Sequence, residues 1–168
     1  MRGTTCDLGV AARVVRGNKV LLVQEALGPH KGMWGFPKGQ VDDNEHPEAA
    51  VLRELREETG FQGLIMGLAG LRTAKRRQTA AIFLVYDVHL SGGIQSPNSE
   101  EISKIGWFDM KALQTLPFIS ETMFQLSIEA LAPAYPTISP TTPLSKSNQS
   151  YFVYSAQHSK LLRKEELA

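Results

Sequence analysis

The order of elements in this chain predicts an α+β domain. Two β-branched runs precede a single well-formed helical stretch, two more apolar runs follow it, and a second helix closes the ordered part. The first pair of runs lies in LGVAARVVRGNKVLLVQE, divided by the turn residues RGNK, and reads as a hairpin. A loop rich in Gly, Pro and His leads to the short segment WGFPKG, and QVDDNEH is turn chemistry. The stretch PEAAVLRELREET is then built of good helix formers. Pro47 suits the first turn, where its missing N–H costs nothing, and Gly60 is placed for the C-terminal cap.

After the helix, LIMGLAGLRTA and TAAIFLVYDVHL read as strands. The second is apolar on both faces, which predicts a central position. SGG reads as a turn and EISKIGWF as a further strand. Asp109 is set to cap a short helix MKALQTL, and a second helix is expected from about Ile119 to Ala132. Composition changes at Pro133, where PAYPTISPTTPLSKSNQS interleaves proline with Ser and Thr. The expected division is therefore a domain over 1–132 and a Pro/Ser/Thr-rich linker and C-terminal tail over 133–168. The last residues, YFVYSAQHSKLLRKEELA, are left with three fates: docking on the domain, pairing with another copy, or no role.

At 168 residues, with 42% hydrophobic and 21% charged content, the chain is long enough for one domain with a real core. A formal net charge of +1 gives no bulk attraction to nucleic acid or membrane. The single Cys6 excludes an intramolecular disulfide framework and a cysteine-cluster zinc site. His30, His46, His89 and His158 show no ligand spacing and receive no role. No apolar run approaches membrane-spanning length, so a soluble, cytoplasmic protein with no membrane partner is the expectation.

Chemistry concentrates in LRELREETG. Glu54, Glu57 and Glu58 lie three and four residues apart, within an arc of roughly 100° on a helix. Glu54 repels both others by a few tenths of a kcal/mol per pair. Arg53 flanks the cluster beside Glu57, Arg56 points elsewhere, and Leu52 and Leu55 face away toward a core. Spacing alone leaves two readings: a solvated acidic face, or carboxylates whose repulsion a hard divalent cation relieves.

The wider pattern decides between them. From Gly39 the chain runs five residues to Glu45, then seven residues to RELREETGF. This resembles the Nudix box of the Nudix (MutT-like) hydrolases, which cleave nucleoside diphosphates linked to another group. Gly39, Glu45, Arg53, Glu54, Leu55, Glu57, Glu58, Gly60 and Phe61 meet every fixed position. The residue before Glu45, often Gly in relatives, is Asn44 here; Asn tolerates the left-handed conformation the turn needs. The resemblance covers about residues 5 to 132.

The resemblance implies the family's α/β/α sandwich with a mixed β-sheet and a Mg²⁺ cofactor, with Mn²⁺ as the substitute. It implies Glu57 and Glu58 as direct metal ligands, Glu54 as ligand or as the base that activates water, and the Gly39 carbonyl as a further ligand. Arg53 and Glu45 would orient the carboxylates. Relatives also carry an acidic residue outside the box, for which Glu100 and Glu101 are the candidates. Lys38 places a cation next to the expected site, and Arg72, Lys75, Arg76 and Arg77 gather in an expected inter-strand turn, where they either grip phosphates or stay solvated. Trp34 and Phe36 read as packing residues. The expected substrate is a small nucleotide rich in phosphates, a dinucleoside polyphosphate first. Alternatives are ADP-ribose or a nucleotide sugar, an oxidised nucleotide, an RNA 5′ end (less favoured), and a nucleotide-sensing module without catalysis. Many relatives are homodimers.

Overall fold

The computed structural model describes residues 5–76, 79–96, 100–132, 135–140 and 151–159. Strands β1 (Cys6–Arg13), β2 (Val15–Arg16), β3 (Lys19–Glu25), β4 (Trp34–Gly35) and β5 (Lys38–Gln40) precede helix α1 (Pro47–Thr59). They are followed by β6 (Phe61–Arg76), β7 (Thr79–Gly93), β8 (Ile102–Phe108), α2 (Met110–Leu113), α3 (Glu121–Leu131), β9 (Tyr135–Pro140) and β10 (Tyr151–Ser159). One sheet runs β5-β1-β7-β6-β10-β9; a second pairs β3 with β2, β4 and β8. Because β1 and β7 are parallel and the other pairs antiparallel, the large sheet is mixed.

The two sides of the central strands bury different cores, which makes the sandwich. Val10 and Ala12 of β1, Leu21 of β3 and Tyr86 and Val88 of β7 pack against Ala50, Val51 and Leu55 of α1. Their alternate neighbours Ala11, Val20, Leu22 and Val85 pack against Met123 and Leu126 of α3 and Leu113 of α2. Each fully buried Val or Leu contributes about 1.5–3 kcal/mol, so the two-sided alternation of β1, β3 and β7 is the main stabilising term. Two-sided β7 is central, flanked by β1 and β6, as its composition predicts. Trp34 and Phe36 are core residues, Trp34 meeting Phe108 edge-on at 4.7 Å.

Helix α1 starts and ends where the sequence puts it. Pro47 occupies the first turn, and Gly60 adopts φ 76° with its N–H donating to the Arg56 carbonyl at 2.8 Å. A Cβ there would lie 2.3 Å from the Ile94 carbonyl oxygen, so only glycine closes this helix. Asn44 takes φ 63°, the left-handed turn conformation expected of it. Asp109 caps α2 by accepting from the Ala112 N–H at 2.9 Å, and Ser120 caps α3.

Several elements differ from the sequence reading. The expected hairpin is only β2–β3, turning at Gly17–Asn18; the longer run β1 leaves it at Val14 and pairs with β7 and β5 in the other sheet. SGG is not a turn: β7 continues to Gly93, which pairs with Phe61. The basic segment from Arg72 to Arg76 is not a turn either, because β6 stays paired with β7 as far as Arg76↔Thr79. The exposed Lys75 is tolerated near the end of this ladder, because its backbone is paired opposite Ala80. Within 133–168, read from sequence as linker and tail, the structure has β9 and β10. β10 lies antiparallel to β6, from Tyr151↔Ala74 to Ser155↔Gly70, and so covers part of an otherwise open strand edge. Among the described residues, no helix is long and apolar enough to cross a membrane.

Candidate active site

β5 is short, but it is held tightly. It pairs with the β1 edge, Val10↔Gly39 and Ala11↔Lys38, and is extended on both sides by Ala12 N–H to Pro37 carbonyl (2.8 Å) and Val41 N–H to Leu8 carbonyl (3.0 Å). α1 packs across the same strands through Leu55, so the acidic face of the helix meets the backbone of β5. Gly39 is where they touch. A Cβ on Gly39 would fall 1.9 Å from Glu54 Oε1, so a side chain here could enter only by displacing the carboxylate.

The three glutamates separate by burial. Glu58 is 4% exposed, and its Oε2 accepts from the Lys38 N–H at 2.9 Å. Burial pushes its carboxyl up to about 8, against the nearby Lys38 charge and N–H, with the Glu54 and Glu25 charges adding to the rise. Glu54 is also raised, first by burial, with the charges of Glu57 and Glu101 acting the same way. Arg53 Nη1 donates to Glu54 Oε1 at 2.7 Å and opposes that rise. Glu57 is half exposed and only 3.5 Å from Arg53 Nη1.

Arg53 does more than flank the cluster. It donates from Nε and Nη2 to the two oxygens of Glu45, both at 2.9 Å, and from Nη2 to the Gln40 carbonyl at 3.0 Å. The planar fork suits this paired contact. The hydrogen bond from Arg53 holds the Glu45 carboxyl below the usual range, and Glu45 in turn raises Arg53. Arg53 thus ties the loop after β5 to Glu54, the first of the three clustered glutamates.

A cavity of about 830 Å³ opens beside this contact. Lys38, Gly39, Glu54, Glu58, Arg72 and Glu101 all line it. The remaining sequence candidates stand apart from its wall. Arg53, Glu45 and Glu57 are not among its lining residues, Glu100 and Lys75 are exposed and do not line it either, and the Arg76 side chain and Arg77 fall outside the described residues. A second part of the wall was missed in the sequence. It comes from Gly9 of β1, which lies beside Gly39, and from Phe83 of β7, His30 and the start of α3 at Ser120 and Met123. Arg72 reaches this wall from β6, its guanidinium 5.2 Å over the Phe83 ring. The α3 start is set in place by Trp34 N–H to the Pro117 carbonyl (2.8 Å) and Ile119 N–H to the Trp34 carbonyl (3.0 Å). No spacing rule gathers these residues; only Ser120, as a helix cap, carried a local signal.

Among the described residues, no three His, Cys, Asp or Glu side chains already converge as a metal cluster, since Glu57 is turned toward Arg53. The parts nevertheless fit a small hard cation. The donors are oxygens, two of the carboxyls are raised by burial and by the charges of neighbouring carboxylates, and Gly39 leaves its backbone open to close approach.

Comparison with known proteins agrees with the geometry. The sequence model of the NUDIX domain matches residues 7–126. The chain is 32% identical over 106 residues to mRNA decapping complex subunit 2 of Schizosaccharomyces pombe, covering 60% of this chain but 14% of that protein. It is 29% identical over 114 residues to an ADP-ribose pyrophosphatase of Methanocaldococcus jannaschii, covering 67% of each. A MutT NUDIX hydrolase from Burkholderia pseudomallei superposes with a TM-score of 0.63 at 28% identity, over 76% of this chain and 99% of that one. With the box, the mixed sandwich and the family match all coinciding on residues 7–126, the chain belongs to the Nudix (MutT-like) hydrolase family.

Proposed function

We propose that this chain hydrolyses the pyrophosphate bond of a nucleoside diphosphate-linked substrate with Mg²⁺ as cofactor, and that it prefers nucleotides rich in phosphates, dinucleoside polyphosphates first. One observation carries the reading: the partly buried Glu54 and the buried Glu58, the open backbone of Gly39 and the cations Lys38 and Arg72 line one cavity. In this reading Glu54, Glu57, Glu58 and the Gly39 carbonyl hold the ion. Such an ion, when bound, offsets phosphate charge and acidifies a water ligand.

The chain's own residues do the rest. Arg53, gripped by Glu45, fixes the position of Glu54, which serves as ligand or as the base that takes the proton from water. Glu101, whose charge reaches Glu54, is favoured over Glu100 as the carboxylate from outside the box. Lys38 and Arg72 face the polyphosphate. Water adds to one phosphorus, the bridging P–O bond breaks, and the products are a nucleoside phosphate and the phosphorylated leaving group.

The relative named for mRNA decapping favours a second reading, in which the phosphate-rich group is an RNA 5′ end. One hydrolysis panel with Mg²⁺ separates these: diadenosine tetraphosphate, ADP-ribose, a nucleotide sugar, 8-oxo-dGTP, a 5′-triphosphate RNA and a capped RNA, each with the wild type and with Glu57→Gln. Turnover of diadenosine tetraphosphate above the rest, lost in the variant, is the expected result. Preference for the RNAs moves the assignment to RNA ends. Turnover that survives in Glu57→Gln contradicts the metal role given to α1.

A further inference from the structure

Lys38 is held at both ends by acids, and one of them lies outside every motif in the sequence. Its backbone N–H donates to Glu58, and its ammonium pairs with Oε1 of Glu25. Both partners of that ion pair are mostly shielded, with 22% of the Lys38 side chain and 16% of the Glu25 side chain exposed. Such a pair is less screened than a surface pair, and its geometry is more strictly kept.

Glu25 itself is well fixed. It ends β3, where the register with β8 slips at Ser103: Gln24 faces Lys104, but Glu25 faces Ile102. Irregularities of this kind re-aim side chains near sites. Ser103 Oγ donates to the Gln24 carbonyl at 3.1 Å and holds the slip in place. Beyond it, the Glu25 N–H donates to the Met33 carbonyl (3.0 Å), its carbonyl accepts from the Gly32 N–H (2.8 Å), and the Ala26 N–H donates to the Glu101 carbonyl (2.7 Å). The loops carrying His30 and Glu101 to the cavity rim are therefore tied to the same strand end.

We infer that Glu25 is a positioning residue that acts through Lys38: it anchors the ammonium at the cavity wall beside Gly39, so that the cation is already in place for a phosphate group of the substrate. This rests on the hydrolase reading above and adds a specificity element to it. An unanchored lysine would lose rotamer entropy on each binding event; the Glu25 pair removes part of that cost beforehand.

The test is a double-mutant cycle read by binding. The affinity of the full chain for inorganic tripolyphosphate is measured by calorimetry with Mg²⁺ for the wild type, Glu25→Gln, Lys38→Met and the double variant. Glu25→Gln and Lys38→Met should each weaken binding by roughly five- to tenfold, and the double variant should be no weaker than Lys38→Met alone, because the two act as one unit. Glu25→Asp, which keeps the charge on a shorter arm, should recover part of the loss. For whichever nucleotide the panel identifies, Glu25→Gln should raise KM and leave kcat within about twofold. Multiplicative losses would make Glu25 an independent or merely structural residue. Tighter binding by Glu25→Gln would show that it only repels phosphate. A wild type that does not bind tripolyphosphate would overturn the inference outright. Because binding is read without turnover, a failed hydrolysis panel would count against the proposed function alone.

Discussion

The two walls of the cavity are built on opposite principles. One wall is a short stretch of chain folded back on itself: β5, its following loop and α1 bring Gly39, Glu54 and Glu58 together within twenty residues of sequence. It is acidic, shielded and cross-braced by Arg53. The other wall draws Phe83, Arg72 and the start of α3 from three separate elements and meets the first at Gly9. In the proposed reading the first wall holds the charge that does the chemistry, and the second meets the part of the substrate that distinguishes it from its relatives. Chemistry and selectivity should therefore respond to different substitutions.

Gly39→Ala should give the largest effect and the clearest break. The added Cβ would overlap Glu54 Oε1, and either the carboxylate or β5 must shift. A misplacement near 1 Å in such a site costs about 100-fold in rate. Steady-state assays should show kcat falling by about that factor across all substrates, with little change in their ranking. A ranking change without loss of kcat would assign Gly39 to selectivity.

Next comes the charge stored in the acidic wall. Glu58 has its folded-state pKa raised to about 8 from a reference of 4.5. The protonated form is thus favoured by folding, and the associated stability is full below about pH 4.5 and lost as the pH rises through 8. Each tenfold change in proton affinity is worth about 1.4 kcal/mol, so the effect amounts to a few kcal/mol at most. In EDTA the melting temperature should fall from pH 5 to pH 8. Glu58→Gln should flatten that slope, and Mg²⁺ should restore stability at the high-pH end of the wild type. An equal slope in Glu58→Gln would remove Glu58 as its source.

The smallest effect belongs to the other wall. Arg72→Met keeps an apolar stem over Phe83 and removes the cation. KM for phosphate-rich substrates should rise several-fold with kcat nearly constant, and ADP-ribose should gain in relative rank. A large loss of kcat would place Arg72 in the chemistry itself.

The same contrast explains what could be read from the sequence. α1 was legible to its ends because Pro47, Gly60 and the apolar spacing of Leu52 and Leu55 are local signals, although the residue buried beside Leu55 is Val51 and Leu52 is only partly buried. The acidic wall was legible because its residues are close in sequence. Glu25 and Phe83 were not, because nothing near them in the chain marks them; they matter only through partners brought in by strand pairing. Arg72 was named, but it was placed in a turn, since charged residues between apolar runs look like loops until a long ladder such as β6–β7 pairs their backbone. The path of β1 was misread for a related reason. Its nearest apolar neighbour in sequence is β3, yet its partner is β7.

That last pairing has a consequence for how the protein is made. β1 and β7 are bridged by Arg13 and Asp87, which are 74 residues apart, with Arg13 Nε 2.6 Å from the carboxylate. Gly39 is held on the far side of the same β1. On a ribosome the N-terminal strand must wait until the chain through Asp87 has emerged, a delay of several seconds at about 5–20 residues per second. Until then the β7-facing edge of an apolar strand lies open, while its other edge can already pair with β5 and receive the acidic helix. The acidic wall can thus assemble early, and the part of the cavity contributed by β6, β7 and α3 is completed after it.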